Sequence, residues 1–159
     1  GLPELPAQVL RAAEAIEHLL DTRSTWLPPV LDVLDGPHGT WLLAPAERLG
    51  SALQGALMLR EGPRRAADGC ETGDWNHVDV YLTKTLDYRA LLFTGSRFDG
   101  AALQWMRERG SRVVAVGPGD DGAGIEQRVR FPHDHDPVVA LLVEIVVAEL
   151  AAAAWWRAQ

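Results

Sequence analysis

Hydrophobic positions near the start of the chain recur every three to four residues, the spacing of one helix face. An amphipathic first helix is predicted to end near residues 21–23, from the helical spacing of these residues: Leu5, Val9, Ala12, Ala13, Ile16, Leu19 and Leu20. A second, short helix is predicted from Pro28 or Pro29 to residue 34, because proline is tolerated in a first helical turn. The Asp35-Gly36-Pro37 sequence stops it. Residues 1–35 are therefore expected to form a helical lead-in.

From residue 38 to residue 131 the pattern alternates between strand and helix. Strands are predicted at residues 40–43, 88–93, 112–116 and 125–131, and helices at 47–60, 74–82 and 98–109. A turn, P-G-D-D-G-A-G, follows the third strand. Such alternation predicts an α/β domain with a mainly parallel sheet between two helical layers, a three-layer α/β/α sandwich.

In two of these helices the apolar residues share a face. In the helix at 47–60 the predicted inward face comprises Leu49, Leu53, Ala56 and Leu57. In the helix at 74–82, Trp75, Val78 and Leu82 are predicted on one side. Both sets follow from helical spacing of apolar residues.

A long final helix is predicted at residues 136–157, because Asp136-Pro137 matches a helix N-cap followed by proline. Its apolar run, residues 138–156, is long enough to raise the question of a membrane span. Glu144 and Glu149 interrupt the run, and each is costly at the centre of a bilayer. A core or interface helix is the favoured interpretation, with no membrane association.

Composition narrows the possible partners. The chain has 159 residues, which suits a single domain covering 1–159, and a net charge of -7. This acidic balance argues against nucleic acid as a partner. The Arg- and Ala-rich composition, with Lys84 as the only lysine, is typical of a GC-rich bacterial source. A single cysteine, Cys70, excludes an intrachain disulfide, and a cytoplasmic location is expected.

The segment at residues 51–61 reads S-A-L-Q-G-A-L-M-L-R-E, and His77 follows sixteen residues after Glu61, within G-D-W-N-H. This stretch resembles the sugar isomerase (SIS) domain. The similarity is to the C-terminal half of the isomerase part of glucosamine-6-phosphate synthase and to related bacterial phosphosugar isomerases. The frame A-L-E-G-A-L-K-L-K-E of that family matches residues 52–61, and its E-x-x-H-G-P segment matches residues 74–79. The resemblance implies an SIS-type, flavodoxin-like topology.

The same resemblance implies two catalytic residues. Glu61 falls on the carboxylate that moves a proton between two sugar carbons. His77 falls on the histidine credited with ring opening, which reaches the site of a neighbouring subunit. A carboxylate and an imidazole suit this chemistry, because both transfer protons near neutral pH when their surroundings tune them. From spacing alone, a solvated helix-end Glu61 and a structural His77 are the alternatives.

Three departures from the family pattern bear on catalysis. The glycine-containing turn after the first strand is replaced by Ala44-Pro45-Ala46, which narrows the approach of a ligand to the backbone. Gln54 and Met58 replace paired charges inside the helix. No lysine follows the final helix, where the synthase carries a Schiff-base lysine.

Residues 94–97 form a second candidate site, for phosphate. Thr94, Ser96 and Arg97 lie between a predicted strand and a helix start, where hydroxyls, backbone N–H groups and a guanidinium can bind an anion. An ordinary helix cap is the alternative. The segment His133-Asp134-His135-Asp136 raises a metal site, but a solvated loop is favoured, because nothing at helical or finger spacing completes a ligand set.

The leading hypothesis is a sugar-phosphate isomerase domain for aldose–ketose interconversion, with no metal and no organic cofactor. The expected partners are a phosphorylated sugar and a second SIS half, which is supplied either by another copy of the chain in a homodimer or by a separate SIS half. The alternative is a non-catalytic SIS module that binds phosphorylated sugars as a sensor or serves as a structural half. A nucleotide-binding domain is disfavoured, because no glycine-rich fingerprint follows the first strand.

Overall fold

A computed structural model describes residues 4–119, 122 and 124–159 of the chain. The helices are α1 (Leu5–Asp21), α2 (Arg23–Leu34), α3 (Leu49–Glu61), α4 (Thr72–Trp75), α5 (Asp99–Glu108), α6 (Pro137–Val143) and α7 (Ile145–Arg157). The strands are β1 (Thr40–Ala44), β2 (Ala67–Glu71), β3 (Arg89–Phe93), β4 (Arg112–Val116) and β5 (Gln127–Val129). Two 3₁₀ turns, Ala46–Arg48 and Asp79–Lys84, precede α3 and β3.

The described strands form one sheet in the order β2-β1-β3-β4-β5, with neighbouring strands parallel. Helices α2, α3 and α7 cover one face, and α4, α5 and the second 3₁₀ turn cover the other. This confirms the predicted three-layer α/β architecture. The strand order reverses at β1 and β3, whose connections leave the sheet in opposite directions, so their carboxyl ends open a crevice.

Strand β2 is absent from the predicted elements. Its sequence, A-D-G-C-E, has neither an apolar run nor apolar alternation, because it lies at the edge of the sheet and pairs only with β1. Charged residues are typical of such edges, where they discourage pairing with another chain. Gly69 in this strand faces α3, and a Cβ there would lie 2.6 Å from the carbonyl oxygen of Ala52. The close approach of helix to strand therefore requires glycine.

The inward face predicted for α3 is wrong at two positions. Ala52, Ala56 and Leu59 are buried, whereas Leu53 is 49% and Leu57 36% exposed. The reason is again close packing. A Cβ on Gly55 would lie 2.6 Å from Cδ2 of Leu42 in β1, so the face that meets the sheet is the one with small residues.

Two helix predictions have the wrong bounds. Helix α2 begins at Arg23 rather than at the prolines, and the indole of Trp26 in its first part donates to the carbonyl of Leu19 at 3.0 Å. The helix predicted at 74–82 is two short pieces with a turn between them, and Val78 is 68% exposed there. The side chain of Glu71 caps α4 by accepting from the N–H of Asp74 at 2.9 Å.

The final helix begins where predicted but is divided at Glu144. Asp136 caps α6 through the N–H groups of Val138 at 2.9 Å and Val139 at 3.4 Å. The stretch Pro137–Arg157 is long and apolar enough to cross a membrane by length and composition, with a mean hydropathy of 2.2. Its inward side chains pack against α1, α2 and α3, as in a core helix of a globular domain.

The turn predicted after the third strand is only partly within the described residues. Asp120, Asp121 and Ala123 lie outside them.

Candidate functional site

A cleft of about 490 Å³ opens at the carboxyl ends of β1, β2 and β3. Its walls are the segment after β1, the last residue of β2 and the loop after β3: Pro45, Ala46, Glu47, Glu71, Gly95, Ser96, Arg97 and Phe98. This is the topological switch point of the sheet, where ligands of open parallel α/β domains bind. Of the three predicted phosphate ligands, Ser96 and Arg97 line this cleft.

Thr94 contributes differently from the other two predicted phosphate ligands. It is 6% exposed, and its hydroxyl lies 3.0 Å from the carbonyl oxygen of Val116 and 2.8 Å from that of Pro118. Its backbone N–H also donates to the carbonyl of Val116, at 2.9 Å. Thr94 thus joins the ends of β3 and β4 and does not line the cleft.

Ser96 and Arg97 belong to the cleft wall. The Ser96 hydroxyl accepts from the N–H of Phe98 at 3.2 Å, which fixes the turn that leads into α5. The Arg97 guanidinium is exposed and lies 4.6 Å from the centre of the Phe98 ring. Stacking on an aromatic ring holds a guanidinium without satisfying its N–H donors, so these donors remain available to an anion.

Asp99, the first residue of α5, contacts this loop and was not among the residues predicted from the sequence. Its Oδ2 accepts from the N–H of Gly95 at 2.7 Å and from that of Ser96 at 3.1 Å. Burial raises the pKa of Asp99 above its ordinary value, although these two N–H groups and the nearby Arg48 and Arg128 act in the opposite direction. The only sequence pattern that points to this contact is the spacing of Ser96 and Asp99, an acid three residues after a serine at the start of a helix.

Beneath the loop lies a buried ion pair. The Arg48 guanidinium contacts the carboxylate of Glu144 and donates to the carbonyl of Thr94. Gly95 has φ of +130°, and a Cβ there would lie 3.1 Å from Nη2 of Arg48. Glycine is therefore required for both the backbone conformation and the space. In the sequence Glu144 stands out only because it interrupts an apolar run. In the structure it is the buried partner of Arg48.

Glu61 lies near the amino ends of the parallel strands, whereas the cleft lies at their carboxyl ends. It is the last residue of α3, which begins after the carboxyl end of β1 and runs back for 13 residues, about 20 Å at 1.5 Å per residue. Residue Ala66, just beyond it, accepts at 3.0 Å from the N–H of Thr40, the first residue of β1. Glu61 is exposed and lines a separate pocket of about 330 Å³ with Met58, Glu149 and Trp156.

His77 does not line the cleft. It follows α4, which begins directly after the carboxyl end of β2, and its backbone N–H donates to the carbonyl of Asp74 at 3.0 Å. Its side chain is exposed. Within one chain the structure thus places Ser96 and Arg97 at the carboxyl ends of the strands and Glu61 at their amino ends.

Glu47 and Glu71 also line the cleft, although the sequence analysis did not select them. Each stands at the carboxyl end of a strand, Glu71 as the last residue of β2 and Glu47 within the turn after β1. A missed strand explains the first omission, since an unrecognised β2 hides the position of Glu71. The cleft therefore carries two carboxylates opposite Arg97.

The side chains of His133, Asp134 and Asp136 contact other groups of the same domain. His133 Nε2 lies 3.1 Å from a carboxylate oxygen of Glu14, Asp134 pairs with Arg130, and Asp136 caps α6. Among the residues that the structure describes, no group of three or more His, Cys, Asp or Glu side chains could hold a metal ion.

Solved structures with a similar arrangement of sheet and helices include a domain of an aminotransferase and candidate phosphosugar isomerases. The c3406 protein of E. coli CFT073, in complex with arabinose 5-phosphate, superposes with a TM-score of 0.78 over 99% of this chain and 90% of its own, at 15% identity. The chain has the fold of an SIS domain. The C-terminal domain of glucosamine-fructose-6-phosphate aminotransferase from Francisella tularensis superposes with a TM-score of 0.70 at 16% identity.

A third SIS structure, a candidate phosphosugar isomerase from Clostridium difficile 630, superposes with a TM-score of 0.75 at 16% identity. The chain covers 98% of its own length but only 44% of the Francisella and Clostridium chains. No protein-family model and no curated protein matches its sequence. The SIS fold is therefore visible in the arrangement of elements rather than in sequence identity.

Proposed function

We propose that this chain is a sugar-phosphate isomerase module whose reaction site forms between two copies. In each site the cleft of one copy binds the phosphate, and Glu61 of the other copy acts as the proton-transfer base. The observation that carries this proposal is that Arg97 lies at the carboxyl ends of the strands and Glu61 near their amino ends. A single chain cannot apply both to one small sugar.

The cleft has the chemistry for the phosphate end of such a substrate. It lies at the switch point of a parallel sheet, and the Arg97 guanidinium can pair with phosphate oxygens in a bidentate manner. The exposed imidazole of His77 is assigned to hydroxyl or ring-oxygen proton transfer. The ligand in the E. coli structure makes arabinose 5-phosphate the first compound to test.

The surface around Glu61 is suited to a partner. Leu53, Leu57 and Glu61 follow one another at intervals of four residues on the exposed side of α3. Trp156, 65% exposed, lies in the pocket that Glu61 lines. A second copy that covers this apolar stripe would take the Glu61 carboxylate out of water, the environment that a carbon-acid base needs. A twofold dimer repeats this contact and so creates two equivalent sites.

The test is turnover of a panel of aldose and ketose phosphates, headed by arabinose 5-phosphate, by the chain and by its Glu61→Gln variant. We expect the variant to lose turnover by at least about a hundredfold while it keeps substrate affinity, because the amide cannot accept the carbon-bound proton. Glu149→Gln is the matched control, since Glu149 lines the same pocket and has no assigned role. Equal activity of the two variants would contradict the role of Glu61.

A non-catalytic SIS module is the second candidate. The observation in its favour is that no hydrogen bond or ion pair within the described part of the chain fixes the Glu61 carboxylate. Such a module would bind sugar phosphates in an Arg97-dependent manner and show no turnover in any assembly state. A cytoplasmic location and a bacterial source remain predictions for either candidate.

A further inference from the structure

We propose that the Asp99 carboxylate occupies the position that a phosphate oxygen would take in the loop after β3, so that Asp99 competes with phosphate and sets the affinity of the cleft. This inference rests on the proposed function, because it assumes that the cleft receives a phosphorylated ligand.

The backbone N–H groups of Gly95 and Ser96 converge on one carboxylate oxygen. Gly95 and Ser96 are consecutive, and both donate to the same oxygen, Oδ2 of Asp99, at 2.7 and 3.1 Å. Successive backbone N–H groups that converge on one point form an anion-binding concavity. Because Gly95 has φ of +130°, a conformation that other residues rarely adopt, the concavity is built into the loop. Its occupant in this structure is a carboxylate of the chain itself.

One oxygen of the Asp99 carboxylate has no hydrogen-bond donor within the described part of the chain. Oδ1 of Asp99 is buried and accepts no hydrogen bond from any described residue. A buried acceptor without a partner is costly. Desolvation of this carboxylate raises the pKa of Asp99, against the effect of Arg48 and Arg128. An anion with more oxygens, reached by Arg97 as well, could use the same N–H donors and satisfy its own acceptors better.

The Asp99 carboxylate and a bound phosphate exclude each other. Both need the Gly95 and Ser96 N–H groups, and two negative charges within about 4 Å repel strongly in a partly buried site. A phosphate must therefore displace the Asp99 side chain before it reaches the backbone. The cost of this displacement lowers phosphate affinity, and removal of the carboxylate should restore it.

The experiment measures binding of inorganic phosphate and of arabinose 5-phosphate by calorimetry to the wild-type chain and to two variants. Asp99→Asn keeps an acceptor oxygen but removes its charge, and Asp99→Ala empties the concavity. We expect phosphate affinity to rise at least about tenfold in Asp99→Ala and by a smaller factor in Asp99→Asn. The amide resonances of Gly95 and Ser96 should shift on phosphate addition in both variants.

Glu108→Gln is the control for charge, because Glu108 is exposed at the other end of α5 and its removal changes the net charge equally. It should leave phosphate affinity unchanged. The combination Asp99→Ala with Arg97→Ala should lose the gain, which locates the phosphate in this loop. Thermal unfolding monitors the fold, and Asp99→Asn serves alone if the alanine variant does not fold.

The outcomes separate the two proposals. Phosphate affinity unchanged in Asp99→Asn and Asp99→Ala overturns the role of Asp99, whether or not the wild-type chain binds sugar phosphates. A gain that depends on Arg97, combined with no binding and no turnover of sugar phosphates by the wild-type chain, supports the role of Asp99 and overturns the proposed isomerase function.

Discussion

Arg48 and Glu144 form an ion pair inside the domain, with Nε of Arg48 3.1 Å from each carboxylate oxygen of Glu144. The Arg48 side chain is 12% and the Glu144 side chain 2% exposed. Because Arg48 also donates to the carbonyl of Thr94, the pair connects the break between α6 and α7 to the loop that forms the cleft. The position of that loop therefore depends on a residue in the last helical segment.

Loss of one member of this pair should be strongly destabilising. In Glu144→Ala, Arg48 would remain buried without its counter-ion, which typically costs about 3–5 kcal/mol. Glu144→Gln keeps a hydrogen-bond acceptor and should cost less. Urea unfolding measures both free energies, and substitution of Glu149, a half-buried glutamate of α7, by alanine is the control. A cost below about 1 kcal/mol for Glu144→Ala would show that the pair does not hold the loop.

The pair also predicts a pH dependence of stability. Burial raises the pKa of Glu144 above its ordinary value of 4.5, and this effect exceeds the opposing effects of Arg48 and Ser51. A raised pKa means that the folded chain holds the proton more tightly than the unfolded chain. Stability relative to Glu144→Gln is therefore greatest below pH 4.5 and falls as the pH rises through the raised pKa. Unfolding of both proteins from pH 4 to 8 measures it, and a difference that grows with pH would contradict the assigned direction.

The elements that the sequence predicted well are those in which apolar spacing and burial coincide. Strands β3 and β4 are almost wholly buried, so their apolar runs identify them. Strand β2 could not be found, because an edge strand need not be apolar. The exposure of Leu53 and Leu57 could not be predicted either, since spacing shows that a face exists but not that the small residues Ala52, Gly55 and Ala56 fit the sheet better.

The candidate site was predictable only in part, for a related reason. Ser96 and Arg97 follow a recognisable strand, so their position at the carboxyl edge of the sheet could be inferred. Asp99 and Arg48 act through contacts with backbone groups that are distant in sequence or hidden in a turn. Such contacts depend on side-chain direction, which no periodic pattern specifies.

The close packing of α3 on the sheet predicts opposite effects of one substitution at two positions. Gly55→Ala places a Cβ 2.6 Å from Leu42 and 3.0 Å from Ala148, and such overpacking typically costs about 1–3 kcal/mol. Gly50→Ala, in the same helix, meets nothing within 4 Å and should stabilise by about 0.5–1 kcal/mol through helix propensity. Thermal and urea unfolding measure both. Equal effects would mean that α3 does not approach the sheet through Gly55.

The buried side chains between the sheet and the layer of α4 and α5 should be sensitive to the loss of one hydroxyl group. Trp75 Nε1 donates to the hydroxyl of Tyr88 at 2.7 Å, and both side chains are buried. Tyr88→Phe leaves the indole N–H without an acceptor, which should cost about 1–3 kcal/mol. Tyr81→Phe is the control, because Tyr81 is 61% exposed and should change stability little. Similar stability of the two variants would show that the Trp75 hydrogen bond contributes nothing.

The two-copy site predicts that two inactive chains restore each other. Glu61→Gln retains the cleft with Arg97, and Arg97→Ala retains the base, so each homodimer lacks one half of every site. A mixed dimer contains one site that lacks both residues and one that is intact. Dimers carrying two different affinity tags, purified so that each contains one copy of each variant, should therefore show about half of the wild-type turnover.

The control is a mixed dimer of Glu61→Gln with Glu61→Ala, in which neither site has a base. It should remain inactive. If Glu61 and Arg97 served the same site within one chain, every site in the first mixed dimer would lack one of them and turnover would not return. A chain that stays monomeric at micromolar concentration in light scattering would yield no mixed dimer and would rule out the two-copy site directly. The complementation experiment therefore decides between a shared site and an internal one, because the two arrangements predict about half and no activity from the same protein.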